Sequence, residues 1–455
     1  MNLKTILHNL PEIRGPTEKK LGFNTKLKWT LIILIAFFIL SNIIIFGGTS
    51  EGLKRFEYLA VIMGTNFGSI ISLGIGPIVM SSIILQLLVG AGILNIDTSN
   101  PEGKRYFQGI QKLGVFFFII FESFIYVLMG GIQALPGFQA IVITQLVIGG
   151  LIILFMDEVC QKWGFGSGVS LFIAAGVGWR LIAGLFGFLG PENIIAPIGA
   201  IPVLFSSFFG AIPDVTGGLQ ALAAILATVI IFLIVVWAQS LKIEIPLSYD
   251  RLRGYGVKWP LSFFYASVIP VILTGALIAN IQLFGGLLQN WLGHATFLGE
   301  FVNGQAVSGL SFWLKSNNIL SSAIDGSLTM VNIGQSLVHI LVFASFAALF
   351  SVFWVKTSGM DAQSQAKKIL QSGLQIPGFR KDERILESIL SRYVMPLTVM
   401  GGIAIGLLAS VSDVLGTITG GTALLLGIMI MFQFYQNIAQ QHAVDMHPAM
   451  KKFMS

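Results

Sequence analysis

Apolar residues in this chain run in long blocks, and charges, prolines and glycines collect in the gaps between them. The blocks lie near 30–48, 76–94, 113–133, 139–156, 168–188, 221–240, 261–285, 333–354, 394–413 and 418–435. Each approaches the roughly 20 residues that carry a helix across about 30 Å of hydrocarbon. The pattern predicts an all-α membrane protein with ten transmembrane helices. The stretch 195–211 is almost as apolar, but Pro197, Pro202 and Pro213 interrupt it or follow it closely. Proline removes a helix donor and clashes with the preceding turn.

Charge settles whether that stretch crosses. With ten spans and an inner N-terminus, 23 of the 27 Lys and Arg fall on inner segments, leaving Lys54, Arg55, Arg180 and Lys315 outside or at the outer edge. Such an excess on cytoplasmic segments fixes orientation. An eleventh span would carry Lys367, Lys368, Arg380, Lys381, Arg384 and Arg392 outward, so 195–211 is expected to be an external loop. The expected order is a cytoplasmic segment 1–29, an N-terminal half 30–190, an external loop 191–220, a C-terminal half 221–435 and a cytoplasmic tail 436–455. Long cytoplasmic loops fall at 241–260 and 355–393. Five spans per half give the halves opposite orientation, and inverted repeats of this kind enclose a central pathway.

Residues 57–94 are too long for one simple span and too short for two with a loop. Gly64, Gly68, Gly74, Gly76 and Pro77 punctuate the run, and such interruptions permit non-helical backbone where protein or a cavity satisfies it. Residues 57–67 would then form a half-length helix of about 16 Å. It is either a re-entrant packing segment or a movable stopper.

Composition excludes more than it assigns. The chain is 55% hydrophobic and 11% charged, with a mean hydropathy of +0.83, about half the charge of a soluble domain. The single Cys160 is expected to be a packing residue, and no Cys/His cluster has metal-ligand spacing. The first 27 residues lack the pattern of a cleaved signal. Gly164, Gly166 and Gly168 have GxGxG spacing ahead of a span, a weak dinucleotide signal. Ser167 and His339 lack a nucleophile motif, and His442, Asp445 and His447 are expected in a solvated tail. Neither an enzyme activity nor a cofactor is expected, and without a nucleotide-binding loop energy must come from a partner. A secondary transporter is the competing class, although Glu122 is the one clear ionisable candidate within the spans.

The segments LGIGPIVMSSIILQLLVGAG (73–92), PEGKRYFQGIQKL (101–113), GFGSGVSLFIAAGVG (164–178), EIPLSYDRLRG (244–254), IPVILTGALIANIQLFGG (269–286), GFRKDERILESILSRY (378–393) and GGTALLL (420–426) stand in one order. In them the chain resembles SecY, the large subunit of the Sec protein-conducting channel, particularly its archaeal form, over essentially its whole length. The resemblance implies an hourglass pore between the halves, narrowed by Ile75, Val79, Val169, Ile173, Ile272 and Leu426. Two of these are Val where relatives often have Ile, which slightly widens the constriction. Without the resemblance, the same six would read as ordinary helix packing.

It further implies a plug at Glu57, Tyr58, Leu59, Ala60, Val61, Ile62, Met63 and Gly64, on the external side of the ring. The spans at 76–94 and 113–133 would face those at 261–285 and 333–354 across a seam that opens to lipid. Glu122, Asn280, Ser81 and Ser82 would form its polar cluster, with Met80 where archaeal relatives often have Thr. Arg251, Arg253, Arg380 and Lys381 would dock the ribosome or a motor; without the resemblance they read as topogenic charges. The implied partners are two small subunits of the SecE and beta or G type, the ribosome, signal peptides, nascent chains and the lipid bilayer.

Overall fold

The computed structural model describes residues 10–17, 21–49, 60, 64–96, 101–188, 198–209, 214–249, 256–302, 305–371, 374–375 and 382–446. The helices are α1 (Phe23–Ser41), α2 (Gly76–Gly90), α3 (Pro101–Leu128), α4 (Gln139–Trp163), α5 (Gly168–Phe186), α6 (Ala200–Phe209), α7 (Val215–Ser240), α8 (Ile269–Leu292), α9 (Gly309–Leu314), α10 (Ile319–Ile324), α11 (Met330–Thr357), α12 (Ala362–Gln371), α13 (Glu383–Val414) and α14 (Gly421–Met446). Among the described residues, nine are long and apolar enough to span a membrane, and α2 and α6 are shorter apolar helices. The nine and α2 correspond to the ten expected spans.

Boundaries moved where a polar or paired backbone intervened. α1 ends at Ser41, because Asn42 closes it and the apolar residues beyond pair elsewhere: Ile45 N–H donates to Gly68 O at 3.0 Å, and Ile70 N–H donates to Ile43 O at 2.9 Å. α2, with Pro77 in its first turn, where a missing donor costs nothing, measures only about 22 Å. It therefore starts inside the layer, after the turns of 64–75. The stretch expected as an external loop holds α6, ten residues long and too short to cross. Pro202 sits in its first turn and is tolerated there. α14 continues to Met446, so the start of the expected tail, His442 and Asp445 included, is helical. The loop PEGKRYFQGIQKL is likewise the first half of α3.

The N-terminal half packs α1, α3 and α5 around α4, with α2 on α3; in the C-terminal half α13 packs on α11 and α14, and α14 on α7. α11 and α13 approach closely because Gly402 and Gly406 face Ser351, Ala344 and Ala347, with no room for a Cβ. Small residues at that spacing are how membrane helices gain contact without a hydrophobic driving force. Among the described residues, two contacts join the halves most extensively. α2 lies against α8 and α11, and α5 runs antiparallel to α14, with Gly184 against Ile418 and Val177 against Gly427. α8 is the central helix, with 78% of its apolar window buried, against 11% for α1 at the edge.

Outside the spans, β1 (Gly48–Thr49) pairs with β2 (Gln133–Ala134), and β5 (Glu300–Val302) with β6 (Gln305–Ser308). β3 (Lys242–Tyr249), β4 (Gly256–Ser262) and β7 (Leu374–Gln375) form a sheet in the order β4-β3-β7. It covers a second apolar core of Ile245, Leu261, Ile369, Leu386 and Leu390. The expected cytoplasmic loops thus share one folded base.

Candidate functional site

Ile75, Val79, Ile173, Ile272 and Leu426 are buried and Val169 is half-buried, all in one apolar core that joins the halves. They come from α2, α5, α8 and α14. Ile75 is the residue before α2, and the other five fall in the first two turns of their helices. All six thus lie in the one large apolar core shared by the halves, and their side chains offer an ion nothing to replace its water.

Gly64 seats against this group. With φ of +54° it holds a left-handed conformation open to glycine at little cost. A Cβ there would lie 3.4 Å from Ile75 Cγ2 and 3.5 Å from Phe172 Cβ. Thr65 N–H donates to Ala60 O at 2.9 Å, which with the left-handed glycine makes a turn of the kind that closes helices. Ala60 is buried beside it. The other six expected plug positions, Glu57, Tyr58, Leu59, Val61, Ile62 and Met63, lie outside the described residues.

Three of the four expected seam residues are hydrogen-bonded within their own half. Ser81 Oγ donates to Gln111 O at 2.7 Å and Ser82 Oγ accepts from Gln111 Nε2 at 2.6 Å, so both serines hold α2 to α3. Asn280 Nδ2 donates to Ala276 O at 2.9 Å within α8. Glu122 is buried on α3 with no hydrogen-bond partner for either oxygen. Among the described residues none of the four bonds another. α2 alone forms the main contact across the seam, and a Cβ on Gly90 would come within 2.4 Å of Phe353 Cδ1 on α11.

Two further buried polar groups escaped the sequence reading. Gln86 is buried on α2 with Oε1 unpaired, and Tyr126 is buried one turn beyond Glu122 with its hydroxyl unpaired. A lone glutamine inside SIILQLLVG was the available signal for the first; the tyrosine gave none.

Arg251, Arg253, Arg380 and Lys381 lie outside the described residues. Their points of attachment do not: Ser248 pairs with Gln375 and Tyr249 with Leu374, so the strands that precede the two basic loops are neighbours in one sheet. Ser167 caps α5, accepting from Ser170 N–H at 3.4 Å, whereas His339 on α11 bonds Leu314 O through Nδ1 at 2.7 Å. They share no site.

The SecY family matches residues 69–435. The chain belongs to the SecY family. It is 42% identical to the protein translocase subunit SecY of Methanothermobacter thermautotrophicus over 452 residues, 98% of this chain and 96% of that one. Its fold is similar to that of a SecY protein whose plug domain stabilises the closed state of the translocation channel and maintains a membrane seal, with a TM-score of 0.82, 36% identity and 99% of each chain covered. It is also similar to Sec61 of a canine ribosome–channel complex, with a TM-score of 0.81, 36% identity and 99% of each chain covered.

Proposed function

We propose that this SecY-family chain is the pore-forming subunit of a protein-conducting channel, passing unfolded secretory polypeptides across the membrane and releasing transmembrane segments sideways into lipid. The observation that carries the reading is an apolar core that joins the halves and holds all six aliphatic side chains, with Gly64 seated on Ile75. A soft apolar ring denies passage to hydrated ions yet yields around a polypeptide. Residues 57–64 act as the plug, moving away on the Gly64 turn. The α2 face against α8 and α11 is the lateral exit, and Glu122, Asn280, Ser81 and Ser82 act there.

The chain works in a cell membrane with both termini cytoplasmic, beside two small single-span subunits. The loops carrying Arg251, Arg253, Arg380 and Lys381 dock the ribosome through RNA phosphates, a contact that weakens steeply with salt. The pairing of β3 with β7 supports this, because it ties the strands that precede both loops to one sheet.

The test is transport itself. With its small subunits in lipid vesicles and an added ribosome or motor, the chain should carry an unfolded secretory precursor into the lumen, where external protease cannot reach it. Solute accumulation driven by a proton or sodium gradient, with no precursor protected, would overturn the proposal in favour of a coupled transporter.

A further inference from the structure

Each half ends on a helix hairpin, α4–α5 in the first and α13–α14 in the second, and the two hairpins are closed in the same way. α5 begins at Gly168 and α14 at Gly421. A Cβ on Gly168 would lie 2.6 Å from Asp157 Cα on α4, and one on Gly421 would lie 2.0 Å from the backbone nitrogen of Asp413 on α13. In both hairpins the first turn of the second helix thus rests on the aspartate-bearing turn of the first.

The same residue of each helix is then held. Val169 N–H donates to Asp157 Oδ1 at 3.0 Å, and Thr422 N–H donates to Asp413 Oδ1 at 2.7 Å. Both are the second residue of their helix. The other carboxylate oxygens are held too. Asp157 Oδ2 accepts from Gln161 Nε2 at 2.7 Å, and Asp413 Oδ2 accepts from the Thr422 hydroxyl and faces His339 Nε2 at 3.5 Å. Ile173 and Leu426 stand at matching positions, each five residues beyond its glycine. Because α5 and α14 run antiparallel, the two arrangements lie at opposite ends of the helix pair.

A helix start leaves its first amides without partners, and within a membrane no water supplies them. A carboxylate there gains both the hydrogen bond and the field of the helix. A cap from the helix's own chain, such as Ser167, fixes only its own turn, whereas a cap from the preceding helix fixes depth and rotation against the bundle. We propose that Asp157 and Asp413 are paired positioning residues, one in each half, that set the depth and rotation of α5 and α14 and so hold Ile173 and Leu426 in place where these helices cross. This rests on the reading of those two side chains as part of the constriction.

The experiment uses the full chain with its small subunits in lipid vesicles and reads amide exchange at Val169 and Thr422 together with resting ion conductance. Asp157→Ala and Asp413→Ala should each speed exchange at their own amide by about fivefold and raise conductance several-fold. Asp157→Asn and Asp413→Asn, which keep an acceptor of the same shape and so fold where alanine fails, should do less of both. A merely structural cap would speed exchange and leave conductance unchanged; that result overturns the proposal if Ile173→Gly or Leu426→Gly raises conductance. Should those glycine variants leave conductance unchanged, the constriction reading fails on its own and exchange decides. Unchanged exchange in the alanine variants then overturns the positioning role, and faster exchange leaves Asp157 and Asp413 as structural caps alone.

Discussion

Glu122 and Tyr126 show what the membrane tolerates at single positions. They stand one turn apart on α3, both fully buried, and among the described residues neither the carboxylate oxygens nor the phenol finds a hydrogen-bond partner. Groups left in this way cost free energy and are retained for what they do in another arrangement. Removing the phenol oxygen should therefore relieve rather than harm the fold: Tyr126→Phe is expected to leave thermal stability unchanged or raise it by about 1 kcal/mol. A loss of that size on thermal unfolding of the purified protein would mean that the hydroxyl is bonded after all.

Among the elements, the N-terminal strap of residues 10–17 has the clearest chemistry. Ile13 N–H donates to Glu158 Oε2 at 3.0 Å, Trp163 Nε1–H donates to Arg14 O at 3.1 Å, and Lys162 donates to Ile13 O at 2.5 Å while pairing with Glu12. The hydrogen bond from Lys162 holds the Glu12 carboxyl below its ordinary value. A depressed carboxyl contributes its stability above the ordinary value and loses it as pH falls through the folded one. Because Glu12 is largely exposed, the effect is small and screened by salt. Limited proteolysis near Arg14 should accordingly quicken as pH drops through the carboxylate range, and Glu12→Gln should show the faster cleavage already at neutral pH. Identical cleavage at every pH in the two proteins would sink the assignment.

The whole molecule is two halves with one close contact on each side. At the back, α5 and α14 cross through Gly427 and Val177; at the front, Gly90 sits on the Phe353 ring. If the α2 face is the exit proposed above, lateral release requires the front contact to part while the back one holds, as in a hinge. A short bifunctional cross-link between cysteines placed at 90 and 353 should block release of a transmembrane segment into lipid, and cleaving the linker should restore it. Free release from the cross-linked protein would move the exit elsewhere.

How much of this was legible in the sequence follows from what hydropathy measures. All ten spans, the break before Gly76 and the short reach of 195–211 were readable, because a residue's preference for lipid or water belongs to its own side chain. The resemblance supplied the six aliphatic positions, which local pattern alone could not separate from ordinary packing. The early end of α1, the pairing of 43–45 with 68–70 and the sheet beneath the basic loops required partners from distant segments. So did the bonds of Ser81 and Ser82 to Gln111, which join α2 to α3. The sequence by itself determined which stretches enter the membrane and in what order. Only the tertiary structure decided which polar group meets which, as Asp157 with Val169 and Asp413 with Thr422, because a hydrogen bond exists only once two backbones are brought within about 3 Å.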